Sequence, residues 1–263
     1  YLLRSLAKVE ALRRSDDIQA RETLAASARA DLEAATRLGV SGSAFSTWLP
    51  LLQARVGRCD DGYKTATQAL AQGGRLTGER AWLQYGAALN AYCRARYDEA
   101  GSYSRQAAET LDGAFPQARE LEILSLHARK RTTDALKKLD DWLTAEPATS
   151  ARRLDLRAFL VYEGGDRVGA EDDLSTAQVL GGSTGAWQAY THGRLTVDSG
   201  SDSGWDSVRG AIVSLDPALA FLRERWVTVL AESGQDPAPL AQPIEASSAQ
   251  APEIAHHGAP PPN

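Results

Sequence analysis

A column of small residues recurs along this chain at a fixed step. Ala100 in YDEA, Ala135 in TTDALKKL and Ala170 in RVGAEDDL lie 35 residues apart, and each follows a turn and opens an apolar-periodic stretch. A second column falls seven residues later, at Ala107, Trp142, Ala177 and Ile212. A third holds the turn and stop residues Asp112, Pro147, Gly182 and Pro217, while Trp82 and Trp187 stand three steps apart. A period of a few tens of residues marks an array of supersecondary units. Each unit is too thin to bury its own apolar face and gains an interior by leaning on the next.

Within one step the pattern is helix, turn, helix. In AWLQYGAALNAYCRA the residues Trp82, Tyr85, Leu89 and Tyr92 fall at helical spacing on one face; in DEAGSYSRQAAETL Ala100, Tyr103, Ala107 and Leu111 do the same. Small residues at a helix crossing let two backbones approach, and a glycine or proline after the second helix stops it. The expectation is an all-α fold of antiparallel helix pairs. Upstream, CDDGYKTATQAL resembles YDEAGSYSRQAAETL with an offset of 38, and SAFSTWLPLLQARVG is its first helix, with Pro50 either in its first turn or kinking it. The stretches YLLRSLAKVEALRR and DDIQARETLAASARADLEAATRL make one further pair, ended by Gly39.

The order Trp82-x-x-Tyr85-Gly86-x-x-Leu89, then Ala100 and Ala107, then prolines at Pro147 and Pro217, resembles the tetratricopeptide repeat in a divergent form. Against that pattern the inter-helix corner is one or two residues longer, Trp205 stands where a small residue belongs, and Gly86 has bulky equivalents at Leu121 and Leu156. The resemblance implies a right-handed α-solenoid of about six helix-turn-helix repeats over residues 1–233. ALAFLRERWVTVLAESG then forms a C-terminal capping helix. It also implies a concave surface, lined by first helices, that takes an extended peptide or a partner's helix. The residues placed there are Tyr85, Leu89, Asn90, Tyr92, Phe159, Tyr162, Tyr190 and Arg194. The family's peptide-carboxylate clamp needs lysines that recur in this groove; Asn90 is present but no such lysine recurs, so that activity is not carried over.

From residue 234 the composition changes. Residues 234–263 hold seven of the eleven prolines and few large apolar residues, which reads as an extended or disordered Pro/Ala-rich tail. Its partner-docking anchors would be Leu240, Ile244 and Ile254. Chemistry is sparse. The four histidines, His127, His192, His256 and His257, have no ligand set around them, so neither a metal nor a cofactor is expected. Ser5-Leu6-Ala7-Lys8 and the GSDSG run at 200–204 lack the motifs that would make them catalytic. The acidic pairs Asp16-Asp17, Asp60-Asp61, Asp140-Asp141 and Asp172-Asp173 read mostly as helix-start residues. A net charge of -5 argues against nucleic acid, and no apolar run reaches the roughly 20 residues of a membrane span.

The two cysteines, Cys59 and Cys93, read first as free, partly buried thiols, with a disulfide as the alternative, since both fall near corners of neighbouring units. No methionine occurs, so Tyr1 reads as a start from which something upstream was removed. With the even cysteine number, this leans towards a periplasmic or exported compartment. The functional expectation is a non-enzymatic bacterial protein–protein scaffold or adaptor, a soluble subunit of a larger, envelope-associated complex. The alternative is a sensor or regulatory module cut from a longer regulator or kinase.

Overall fold

A computed structural model describes all residues except 15–17, 39–42, 74, 147–150, 183–184 and 238–263. Asp16, Asp17, Gly39, Pro147, His256, His257 and the tail anchors Leu240, Ile244 and Ile254 therefore lie outside the described residues. The rest forms six antiparallel hairpins and a terminal helix. The hairpins are α1 (Leu2–Arg14) with α2 (Ile18–Arg37), α3 (Ser43–Arg55) with α4 (Cys59–Ala71), and α5 (Thr77–Cys93) with α6 (Tyr97–Thr110). They continue with α7 (Pro116–Ala128) and α8 (Thr132–Ala145), α9 (Ala151–Glu163) and α10 (Arg167–Val179), and α11 (Ala186–Asp198) and α12 (Gly204–Ser214). The last helix is α13 (Ala220–Glu232). No strand occurs among the described residues. The fold is an all-α stack of helical hairpins in which sequential helices are the main neighbours.

The five hairpins from α3/α4 onward turn through the same backbone device. Gly57, Ala95, Lys130, Gly165 and Gly200 all have positive φ, at 76°, 56°, 60°, 93° and 95°. The N–H of the next residue donates back to the carbonyl five positions earlier, as in Arg96 to Ala91 (2.9 Å) and Arg131 to Leu126 (3.0 Å). This is a Schellman closure, which satisfies carbonyls left over at the end of the first helix. Two of the five positions are not glycine, so those corners carry left-handed strain. The second helix then opens on a polar residue that holds its first turn. Arg58, Arg96 and Arg131 pair with Asp61, Glu99 and Asp134, and Asp166 accepts from the Gly169 N–H at 2.9 Å.

The small-residue column marks positions with no room for a larger side chain. Ala100, Ala135 and Ala170 are fully buried. Gly62 holds the same place in α4, and a Cβ there would run into the Asn90 side chain. Trp205 departs from the column because α12 meets α11 one residue earlier. Gly204 lies against Gly193 so closely that a Cβ on either would overlap the other's carbonyl oxygen, and Trp205 is free to be buried beside the crossing.

A second column sets the spacing between first helices. Gly86 rests on Pro50, which brings α5 close to α3. At the equivalent position in α7 and α9 stand Leu121 and Leu156, and α7 sits further from both α5 and α9. In α11 the position is Thr191, and α11 again packs closely on α9. First helices are thus tight between α3 and α5 and between α9 and α11, and splayed around α7.

The cysteines are joined. Cys59 at the start of α4 and Cys93 at the end of α5 form a disulfide with Cα atoms 6.1 Å apart, which corrects the free-thiol reading in favour of its alternative. The bridge ties the second hairpin to the third. Unfolded protein should show two reactive thiols only after reduction, and Cys59→Ser/Cys93→Ser should lower stability by about 2–4 kcal/mol in urea unfolding. Lys130→Gly should act oppositely, raising stability by about 1 kcal/mol because glycine adopts the left-handed corner without strain.

Candidate functional site

The inner face of the stack is built by first helices, and its two parts have different fates. Towards the C-terminal ends of α5, α7 and α9 it is covered by α13. This helix buries Leu222, Trp226 and Leu230 completely, at helical spacing on one side. Trp226 stacks on Tyr190 (centroids 4.1 Å, 12° between planes) and meets Phe159 and Trp187 edge-on, each at 5.8 Å. Aromatic contacts of this kind each add about 0.5–1.5 kcal/mol beyond burial. Around them, Phe221 packs on Tyr97, and Arg225 pairs with Glu163 and reaches His127 Nε2 at 3.3 Å. The terminal helix therefore covers apolar surface, as a closing element must, but on the inner face of the array rather than only beyond its last hairpin.

The other part is open. A cavity of about 620 Å³ is walled by α3, α5, α7 and α9 and edged by the strap that leads into α13. Its floor is Leu51, Leu89, Leu121, Leu124 and Leu156, with Trp48, Trp82 and Tyr85 on one wall. Trp48 is 38% exposed, although it lies 5.0 Å from the Trp82 ring. The rim is charged and paired. Arg55 meets Asp216 of the strap at 3.2 Å. Arg152 donates to both carboxylate oxygens of Glu120, and Trp187 Nε1 donates to the same carboxylate at 2.9 Å. That bond links α7 to α11 past the intervening α9. Leu121 and Leu156, which splay the stack, line the opening they create.

Of the eight residues assigned to the concave surface, Tyr85 and Leu89 line this cavity. Burial, and then the nearby Asp216, raise the Tyr85 phenol above its ordinary value, so it stays neutral. Phe159 and Tyr190 lie on the inner face but beneath Trp226. Tyr92 is buried against Tyr97. Asn90 is fully buried and donates to the carbonyls of Pro50 (2.9 Å) and Gly86 (2.7 Å), which locks α5 onto α3. Tyr162 is half-buried; its hydroxyl donates to Asp198 at 2.9 Å, and burial pushes it up to about 12. Arg194 lies over the rings of Tyr162 and Trp205. Sequence reasoning missed Trp48, Gln117 and Glu120. Their common signal was position, early in a first helix and close to the Trp82/Trp187 column.

Among the described residues no group of His, Cys, Asp and Glu could hold a metal ion. No helix is long and apolar enough to cross a membrane. The stack is similar to the crystal structure of a tetratricopeptide repeat protein from Parabacteroides merdae. That likeness has 13% identity and a TM-score of 0.40, over 86% of this chain and 97% of that one. No protein-family model and no curated protein matches the chain.

His127 gives a pH test of the covered part. Its imidazole is buried against Phe159, with Arg225 and Thr132 at its two nitrogens. Burial, and then the Arg225 charge, lower it from 6.5 to about 4. A group depressed in the fold stabilises fully above its unfolded value and loses that contribution as pH falls towards its folded one. The loss between pH 6.5 and 4 should be on the order of 2–3 kcal/mol. Denaturant unfolding across this range should show the slope, and His127→Gln should flatten it.

Proposed function

We propose that this chain is a non-enzymatic protein-interaction module whose receptor is the open cavity around α7. The observation that carries the proposal is an apolar floor with the partly exposed Trp48 on its wall and charged residues around its rim, left uncovered while α13 fills the adjoining part of the same face. Binding grooves combine an apolar interior, which supplies energy, with a few polar groups that fix orientation. The cavity suits one or two apolar side chains of an extended or helical segment, with Gln117 on its edge to meet the segment's backbone. The Cys59–Cys93 bridge supports an oxidising, exported compartment, where such a module would serve as a soluble subunit of an envelope-associated complex.

A displayed library of short peptides, selected on the intact protein, tests this. Enriched peptides should carry an apolar or aromatic anchor. Their affinity should fall about tenfold or more on Trp48→Ala, close to 1.4 kcal/mol, with the helical circular dichroism unchanged. A library that yields no binder sensitive to Trp48→Ala would remove the cavity as a receptor.

A further inference from the structure

The chain carries a segment whose chemistry suits the cavity. Trp48, Trp82 and Tyr85 line one side, Trp48 partly exposed and Tyr85 buried, with Trp82 also in edge contact with Phe115 at 4.6 Å. Aromatic-lined grooves recognise proline-rich segments, which are already near the polyproline conformation and so lose little entropy on docking. Residues 252–262 read PEIAHHGAPPP, with four prolines, the apolar Ile254 and the acidic Glu253. Arg152 on the rim is already paired with Glu120, so recognition rests on the prolines and Ile254.

Chain reach permits the contact. Leu219 lines the cavity and α13 leads away from it for 13 residues, about 20 Å at 1.5 Å per residue. Gln235, just past α13, is held by Arg209 at 2.7 Å. An extended chain recovers 20 Å in about seven residues, so residues from about 245 onward can return to the cavity. The strap and α13 already lie along this face, so the docked tail would continue an interface the same C-terminal region has begun.

We infer that residues 252–262 dock in the cavity of their own chain and compete with the external segment that the proposed function requires; the inference rests on that reading of the cavity. A tether of this length gives an effective concentration on the order of 1 mM, so even a contact with Kd of about 0.1 mM is mostly formed. The occupied cavity then weakens an external peptide about tenfold.

Two measurements on the full chain test the inference. A photo-crosslinking amino acid at Gln117, in a mixture of isotope-labelled and unlabelled protein, should form adducts with residues 252–262 of the same copy. Pro252→Ser/Pro260→Ser/Pro261→Ser/Pro262→Ser should abolish these adducts and bind a library-selected peptide about tenfold more tightly than the wild type. Equal affinities, adducts that join two copies, or no adduct to the tail would each overturn the inference. If library peptides still bind in a Trp48-dependent way, the cavity remains a receptor and only the tail as its occupant is lost; if none bind, the receptor reading fails as well.

Discussion

Trp226 holds the end of the chain against the inside of its own array. In an open stack each hairpin touches only its neighbours, and stability is a sum of local terms. Here one side chain contacts Phe159 of α9 and both Trp187 and Tyr190 of α11. Its helix also reaches Tyr97 through Phe221 and His127 through Arg225. Arg55–Asp216 adds a link 161 residues long in sequence. Hairpins far apart in sequence are thereby made to share one interior. What is left of the inner face, the cavity around α7, is bounded by what this terminal helix covers.

The second constraint is a single position per unit. Where it is Gly86 or Thr191, first helices pack closely; where it is Leu121 or Leu156, they stand apart and the leucines line the gap. Departures from the regular pattern thus coincide with the candidate site. A regular repeat would favour a uniform stack, and local irregularity is what makes one part of the inner face different from the rest.

The 35-residue step, the six hairpins and the terminal helix were legible because small residues at a crossing have few substitutes. The corner column was not. Ala95 and Lys130 occupy positions where glycine is usual, so no spacing of glycines announces the shared left-handed turn. For α13, the spacing of Leu222, Trp226 and Leu230 says that one side is buried but not against what; that depends on the curvature of hairpins far away in sequence. Phe159 and Tyr190 lie on the inner face, but their apolar area is already covered by Trp226. Asn90 matched a binding position by type, but its amide is consumed by two backbone carbonyls. Trp48 was passed over because nothing local distinguishes a tryptophan on a cavity wall from one in a core.

The central claim is that α13 closes the array into one cooperative body. Hydrogen exchange of Trp226→Ala tests it most directly. Closure predicts faster exchange not only in α13 but also at the inner-face amides of α7, α9 and α11, which lose a shared partner. Exchange that rises in α13 alone, with those helices as protected as in the wild type, would contradict it and leave the hairpins as an ordinary open stack.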